Sequence, residues 1–191
     1  MYGVSLGDDG AELRPLETWH AEELLAHFDR GREHIGQFIG FGSRETDVDS
    51  TRALLKRFAD KRTEDSGSLH GIWSDGKLIG GVLFRTFDAA TGVCEVGCWL
   101  EPAGVGKGLI TRAMHVLIDW AVLERGMHRV EWHAASGNTP SLNVARRLGM
   151  RRDGVLRGSH LHKGTRHDIE IWSLLAPEWH ALRARTARDD H

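Results

Sequence analysis

A glycine-rich loop at residues 101–108 constrains the fold more than any other segment, because it joins a predicted strand to a predicted helix. The strand is expected at 93–100. Over 109–125 apolar residues recur on one helical face, and Gly126 is suited to end that helix. The first N–H groups of a helix have no partner inside it, and the helix dipole is positive there. Because glycines leave the backbone uncovered, the loop predicts a phosphate site in a mixed α/β domain.

Two common phosphate-binding motifs do not fit this loop. A P-loop requires Ser or Thr after its Gly-Lys pair, where this chain has Gly108, and an earlier glycine where it has Glu101. A dinucleotide-binding loop follows the first strand of a doubly wound sheet, whereas this loop lies in mid-chain after a hairpin. From the loop alone, a glycine-rich turn that binds no ligand remains an open alternative.

The other elements are predicted from hydrophobic periodicity, caps and turn residues. Thr18 and Asp47 are suited to cap helices, and Asp75-Gly76 between two apolar runs favours a type I′ turn. The predicted order is a strand at 11–16, helices at 19–28 and 47–62, strands at 69–74, 77–87 and 93–100, a helix at 109–125, a strand at 128–133, a helix at 139–148, strands at 151–161 and 166–175, and a short helix from Pro177; residues 29–46 are expected to be irregular and 183–191 a frayed tail.

Composition excludes several classes of protein. With 191 residues, 40% of them apolar and 27% charged, the chain fits one ordinary globular domain. A net charge of −2 gives no attraction to nucleic acid. The first ten residues lack the basic start and apolar run of a signal peptide, and no stretch is long enough to span a bilayer, so a cytoplasmic protein without a membrane partner is expected. Cys94 and Cys98 are expected in the core and not in a disulfide.

Three blocks of sequence resemble the GNAT acetyltransferases, specifically their RimJ/RimL-like branch. The first runs from Glu95 as Glu-Val-Gly-Cys-Trp-Leu through Pro102 to Gly-Lys-Gly at 106–108, and Thr111 matches its last position. The second, 138–150, is similar to the Asn-x-x-Ser helix that ends in Leu-Gly-Phe. The third, 168–179, is similar to the final strand of the family. The blocks have the order and spacing of the family and cover nearly the whole chain.

The resemblance implies a single N-acyltransferase domain over 1–191, with a mixed, mostly antiparallel sheet flanked by helices. The central strands 93–100 and 128–133 are expected to splay and to hold acetyl-CoA or another acyl-CoA between them. The N–H groups of 105–111 are expected to hold its pyrophosphate, and 98–100 its pantetheine arm. The residues that the resemblance assigns to coenzyme A are Cys98, Trp99, Leu100, Val105, Gly106, Lys107, Gly108, Leu109, Ile110, Thr111, Asn138 and Asn143.

The chain departs from the family pattern at three positions near this site. Val105 replaces the first Gln or Arg of the family signature, and Ile110 occupies its last position. The change at Val105 removes one polar side-chain contact and leaves the backbone N–H groups in place. Cys98 replaces an aromatic residue, which is expected to open the acyl end of the pocket.

Acyl transfer from a thioester to an amine requires a base, oxyanion donors and stabilisation of the departing sulfur. Many GNAT members protonate the sulfur with a tyrosine, but this chain has Ala145 at that position and its one tyrosine is Tyr2. Ser141 is therefore the candidate to hydrogen-bond the sulfur; its alternative role is ordinary solvation of a helix turn. Backbone N–H groups near 98–100 are expected to bind the oxyanion.

Two residues are candidates for the general base. Glu95 occupies the glutamate position of the family, on the opposite strand face from Cys94 and Cys98. His160 stands where RimL-like enzymes are thought to carry an acidic base, and a histidine also accepts a proton near neutral pH. Either side chain could instead be structural, Glu95 as a buried cap for backbone groups and His160 as a half-exposed strand residue.

The sequence leaves the acceptor and the partners less defined. The expected acceptor is a primary amine, either a small molecule or a peptide N-terminus, walled by 29–46 with Arg32, Phe38, Phe41 and Arg44. A homodimer is expected by analogy with RimL-like proteins. The alternative function is a non-catalytic CoA-binding or protein-interaction module. The histidines at 133, 160, 162 and 167 complete no familiar zinc spacing, so no metal is expected.

Overall fold

The computed structural model describes residues 3–7, 10–38, 40 and 42–189. Eight strands form one sheet: β1 (Val4–Ser5), β2 (Glu12–Pro15), β3 (Ser68–Ser74), β4 (Lys77–Asp88), β5 (Val93–Leu100), β6 (Arg129–Ala135), β7 (Arg151–His162) and β8 (Thr165–Leu175). Five helices flank it: α1 (Ala21–Ile35), α2 (Val48–Thr63), α3 (Leu109–Asp119), α4 (Thr139–Arg147) and α5 (Ala176–Asp189). Short 3₁₀ turns at Thr18–His20 and Pro102–Gly104 and a π-helical segment at Trp120–Glu124 complete the described elements.

The sheet has the order β1-β2-β3-β4-β5-β6-β8-β7. Every neighbouring pair is antiparallel except β5 and β6, which are parallel and connected through α3. A parallel pair needs a crossover connection, and the glycine loop with its helix supplies one. The predicted mixed, mostly antiparallel sheet flanked by helices is confirmed.

β5 and β6 form a fork at the centre of the sheet. They pair only through residues 93–96 with 129–132. Beyond that point residues 97–100 stay paired with β4, and residues 133–135 stay paired with β8. The two strands therefore separate in mid-sheet, and the predicted splay is confirmed.

The two faces of the sheet carry different helices. On one face α3, α4 and α5 pack in the larger core with Cys94, Val96 and Trp132. On the other face α1 and α2 pack in a smaller core that includes Trp99. Side chains of a strand alternate between faces, so neighbouring residues of β5 and β6 serve opposite sides of the fork.

Local turn chemistry accounts for several element boundaries. Asp75 and Gly76 have φ values of 50° and 74°, and a type I′ turn requires positive φ at both places. Asp47 caps α2, because its carboxylate accepts the Ser50 N–H at 2.7 Å. Both features agree with the sequence prediction.

Three helices differ from their predicted form. Glu17, not Thr18, precedes the first helical turn, and α1 continues through Gly31 to Ile35, so the segment expected to be irregular is shorter. The helix after the glycine loop ends in a π-helical segment. α5 includes residues 183–189, which the sequence assigned to a frayed tail.

Candidate active site

The glycine loop places a bare helix start beside open space. Gly106 and Gly108 have left-handed φ values of 83° and 70°, and Gly108 is the N-cap of α3. Among the residues that the structure describes, no side chain caps this helix, and a Cβ built on either glycine would meet none of their atoms within 4 Å. The first N–H groups of α3 therefore face a cradle that backbone alone forms, which fits a pyrophosphate.

The residues predicted for this cradle divide by exposure. Val105 is 56% exposed, whereas Leu109 and Ile110 are buried in the core under the loop. Lys107 is exposed and Thr111 is half-buried. The side chains of Leu109 and Ile110 therefore fix the start of α3 against the core, and the N–H groups of this first turn remain available for a ligand.

Glu101, the first residue of the loop, is hydrogen-bonded to α1. Its buried carboxylate accepts hydrogen bonds from Arg30 at 3.1 Å and from Nδ1–H of His27 at 3.2 Å. The Trp99 indole donates to His27 Nε2 at 3.0 Å, so Nε2 carries no hydrogen and the tautomer is fixed. Burial lowers the pKa of His27, against the opposing charge of Glu101, and keeps the ring neutral.

The strand residues predicted to line the coenzyme lie on different sides of β5. The Trp99 side chain is buried in the smaller core, so its indole supports the loop and does not face the fork. Cys98 and Leu100 pack against the larger core. Burial raises the pKa of the Cys98 thiol to about 12, so this cysteine is not a nucleophile at neutral pH.

Ser141 lies in the first turn of α4, on the α3 side of the fork. Its N–H donates to the Asn138 side chain at 3.2 Å, so Asn138 caps the helix. Its hydroxyl oxygen accepts the indole N–H of Trp132 at 3.0 Å. Ala145 is fully buried, which leaves no acid at the usual tyrosine position. Asn143 is exposed and accepts a hydrogen bond from Arg146 at 2.7 Å.

A group of titratable side chains lies on the opposite side of the fork. We call it the charged face; its members are Arg85, Glu95, Glu131, His133 and His160. Glu95 stands opposite Glu131 across the parallel strands, and His133 is the first outward residue of β6 after they part. The sequence prediction placed Glu95 on the face away from Cys94 and Cys98, and the structure agrees.

His133 bridges the two carboxylates. Its Nε2–H donates to Glu131 at 2.9 Å, and its Nδ1 lies 3.7 Å from Glu95. Arg85 lies 3.5 Å from the same Glu95 oxygen. Burial disfavours a charged Glu131, but hydrogen bonds from Arg129 and His133 outweigh it and lower the pKa of this carboxyl. Glu131 is therefore held in its ionised form beside His133.

His160 lies on the same face, on β7 opposite His167. Its ring stacks on His162 at 5.8 Å, and His162 Nε2–H donates to the Gly36 carbonyl at 3.0 Å. Burial, the two neighbouring histidines and Arg85 lower the pKa of His160, although a hydrogen bond to the Phe38 backbone opposes them. Arg85 acts electrostatically on His160 and lies 3.5 Å from Glu95. The β7–β8 hairpin also holds the segment after α1.

The structure describes three of the four residues that were predicted to wall the acceptor, namely Arg32, Phe38 and Arg44. Phe38 lies beside Gly137, at the start of the loop into α4. Arg32 instead holds its own segment, since its guanidinium donates to the backbone carbonyls of Gly42 and Glu45. Arg44 lies alongside Gly40. Phe41 falls outside the described residues.

Within residues 3–7, 10–38, 40 and 42–189 no three His, Cys, Asp or Glu side chains are arranged to hold a metal ion. The rings of His160 and His162 lie nearly parallel, at 12°, and do not converge on a common point. None of the helices described is long and apolar enough to cross a membrane.

The family model of the acetyltransferase (GNAT) domain matches residues 11–151, and the chain belongs to this family of N-acetyltransferases. YdaF of Bacillus subtilis, which carries the name of a candidate ribosomal N-acetyltransferase, is 30% identical over 172 residues, 87% of this chain and 92% of that protein.

Two solved structures show the same fold. RimL, a ribosomal L7/L12 alpha-N-protein acetyltransferase in complex with coenzyme A, has a TM-score of 0.87 at 16% identity, over 92% of this chain and 99% of that one. MccE, a microcin C7 self-immunity acetyltransferase in complex with acetyl-CoA and AMP, has a TM-score of 0.83 at 22% identity, over 91% and 96%. The single-domain GNAT architecture is thus shared with enzymes whose structures contain the acyl donor or its product.

The sequence analysis did not predict the contacts that join Glu131 and His133 to Glu95, or Trp132 to Ser141. The alternation of side chains along β6 could have indicated them in part, since Glu131 and His133 share one face and Trp132 lies on the other. The pairing of β6 with β5 was needed to bring His133 beside Glu95. His27 was equally hidden, because its partner Glu101 lies 74 residues away in the sequence.

Proposed function

We propose that the chain transfers an acetyl or other short acyl group directly from acyl-CoA to a primary amine, with both substrates bound together. The observation that carries this proposal is that the candidate base and the candidate hydrogen-bond donor lie on opposite faces of the fork. Glu95 and His133 lie on one face, and Ser141 lies on the other. A thioester in the fork would meet a base from one side and a hydrogen-bond donor from the other.

The base activates the amine. An ammonium ion with an ordinary pKa near 10 must lose a proton before its nitrogen can attack. We assign this role to Glu95, whose carboxylate stands beside His133 and Arg85 at the point where the strands part. His160 is the second candidate, since its lowered pKa keeps it neutral at pH 7, but its ring also helps to hold the segment at Phe38.

The sulfur leaves on the other side. The amine nitrogen forms a bond to the thioester carbon, the carbon–sulfur bond breaks, and its electron pair goes to sulfur. Ser141 is placed to donate a hydrogen bond there, because its oxygen already accepts from Trp132. N–H groups of residues 98–100 are assigned to the oxyanion, by resemblance to the family.

We propose that coenzyme A is held mainly by backbone. The residues assigned to it are the predicted set: N–H groups from Val105 to Thr111 for the pyrophosphate, the edge of β5 at 98–100 for the pantetheine arm, and the start of α4 at Asn138. The bare cap at Gly108 and the open space at Gly106 support this assignment. The side chain of Asn143 points into solvent with Arg146, so only its neighbourhood supports a contact.

The acceptor is proposed to be a protein N-terminus or a small amine. The name of RimL gives a protein alpha-amine as the acceptor of that enzyme, which favours testing peptides first. A panel of peptides and small amines, each with several acyl-CoA donors, would identify the pair by release of free thiol. Thermal stabilisation by CoA tests the donor separately, with roughly 2.7 kcal/mol expected at 100 times the dissociation constant.

A non-catalytic CoA-binding module is the second candidate function. The observations that favour it are Val105 in place of a polar residue and Ala145 in place of the tyrosine. Saturable CoA binding without thiol release for any amine would support the module. We further propose a homodimer, as in RimL-like proteins, and a cytoplasmic location; light scattering that gives the mass of one chain would contradict the dimer.

A further inference from the structure

Trp132 occupies an unusual place for a core tryptophan. It lies on β6 at the last pair before the fork opens, between Glu131 and His133 in the chain. Its side chain is 1% exposed and points to the α4 side, opposite the charged face. Its indole N–H reaches the Ser141 hydroxyl oxygen at 3.0 Å, so the fork strand directly contacts the residue assigned to the sulfur.

The chemistry of the indole fixes the direction of this bond. An indole nitrogen is only a donor, so the Ser141 oxygen must accept. A hydroxyl has one hydrogen, and it cannot point at the nitrogen that donates to the same oxygen. Trp132 therefore holds the oxygen while the hydroxyl hydrogen is directed elsewhere.

Nothing else described in the chain takes that hydrogen. A serine in a helix often donates back to a carbonyl one turn earlier. Across residues 3–7, 10–38, 40 and 42–189 the hydroxyl of Ser141 makes no hydrogen bond beyond the one from Trp132. Asn138 accepts the Ser141 backbone N–H and does not engage the hydroxyl. The hydroxyl is left as a single, oriented donor beside the fork.

We propose that Trp132 is a positioning residue that orients Ser141 to donate its hydrogen to the departing sulfur. The inference rests on the proposed function. When the carbon–sulfur bond breaks, its electron pair goes to sulfur, and the Ser141 O–H hydrogen-bonds the resulting thiolate. The proton of the amine leaves on the opposite face through Glu95. Trp132 contacts no reacting atom, and its effect passes through Ser141.

A double-mutant cycle tests this dependence. Trp132→Phe should lower kcat about fivefold, the effect of one ordinary hydrogen bond, with the KM for acyl-CoA little changed. In the Ser141→Ala background the same change should have no further effect on kcat. Equal losses in both backgrounds would show that Trp132 acts only through packing and would overturn the proposal.

Trp179→Phe is the matched control. Trp179 is 2% exposed, packs in the same core, and donates its indole N–H to Asp119 at 2.9 Å. Its loss should lower the melting temperature as Trp132→Phe does and leave kcat unchanged. If Trp132→Phe does not fold, benzothienylalanine at position 132 keeps the ring shape and removes only the N–H. Full activity of that variant would overturn the proposal.

Binding of CoA supplies a readout without turnover. The ionised fraction of the CoA thiol rises with pH, so at pH 9 more than at pH 7 an oriented Ser141 hydroxyl should favour CoA over its analogue with hydrogen in place of the thiol. Trp132→Phe and Ser141→Ala should reduce this preference by the same factor, and Trp179→Phe should not. An unchanged preference in Trp132→Phe would contradict the proposal. If the wild-type chain binds CoA but releases no thiol with any amine, the proposed function fails instead.

Discussion

The glycine loop and the charged face are built from different kinds of chemical group. The loop uses backbone N–H groups from one continuous segment, and its side chains either pack below it or extend into solvent. The charged face uses side chains from β4, β5, β6 and β7, and each depends on the register of its strand. A backbone site tolerates side-chain changes that a site built from side chains does not. The following experiments test this difference.

The largest effect is expected at Glu95. Glu95→Gln keeps the shape of the side chain and removes its basicity, so kcat should fall about 100-fold, in the range of general-base catalysis. The dissociation constant of CoA should stay unchanged, since the cradle lies elsewhere. Steady-state kinetics and calorimetric titration measure the two quantities.

His160→Gln provides the comparison for the base. It should lower kcat much less than Glu95→Gln, and it should raise the KM of the acceptor because His160 helps to hold the segment at Phe38. If His160→Gln abolishes turnover while Glu95→Gln remains active, His160 is the base and the assignment to Glu95 is wrong.

A second large effect is expected at Gly106. Its φ of 83° is a left-handed conformation that a β-branched residue strongly disfavours. Gly106→Val should weaken CoA binding at least tenfold, or about 1.4 kcal/mol, and should also lower the melting temperature by about 2–8 °C. Titration calorimetry and thermal unfolding measure both.

Gly76→Val is the matched control for backbone strain. Gly76 has a φ of 74° and equally open surroundings, but it lies in the β3–β4 hairpin turn. This variant should lose stability and bind CoA normally. Normal CoA binding by Gly106→Val would show that the cradle is misplaced.

The glycine loop and the charged face also differ in how far the sequence predicts them. The Asp75-Gly76 turn, the Asp47 cap and the glycine loop depend on residues a few positions apart, so local rules identify them. The end of α1 does not, because the helix was expected to stop at residue 28 and instead continues through Gly31 to Ile35. A Cβ at Gly31 would lie 3.2 Å from Glu101, so the glycine permits close packing between α1 and the loop.

The charged face could not be predicted from the sequence alone, because its residues come together only in the folded chain. Glu95 and His160 were identified from the resemblance, but their position on one face of the sheet depends on the pairing of their strands. His133 carries no local signal that separates it from other strand histidines. It becomes part of the site because β6 lies in register beside β5.

Lowering the pH should destabilise the hydrogen bonds by which His27 holds Glu101 and Trp99 at the glycine loop. The fold lowers the pKa of His27 below its ordinary 6.5, mainly through burial, so the unfolded chain binds this proton more readily. The stability from a neutral His27 is therefore complete above pH 6.5 and is lost as the pH falls from there through the folded pKa. Protonation at Nε2 would also break the hydrogen bond from Trp99.

Urea unfolding at pH 7.5 and pH 5 measures this contribution. The free energy of unfolding should fall on acidification, and in His27→Gln the fall should be smaller because the group no longer titrates. Thr51→Ser, at another fully buried polar position, should retain the wild-type pH dependence. Identical pH profiles for wild type and His27→Gln would show that protonation of His27 does not contribute to the pH dependence of the free energy of unfolding.

The smallest effect is expected at Lys107, which is exposed between Gly106 and Gly108. If backbone N–H groups hold the pyrophosphate, Lys107→Ala removes only a solvent-screened charge, worth at most about 1 kcal/mol, or roughly fivefold in CoA affinity. Most of that difference should disappear at high salt, because exposed charges are screened within a Debye length of about 3 Å at 1 M. Lys77→Ala, an exposed lysine at the β3–β4 hairpin, should change nothing. A loss at Lys107 larger than that of Gly106→Val, and one that persists in salt, would mean that a side chain and not the backbone binds the phosphates, and the contrast between the two regions would no longer hold.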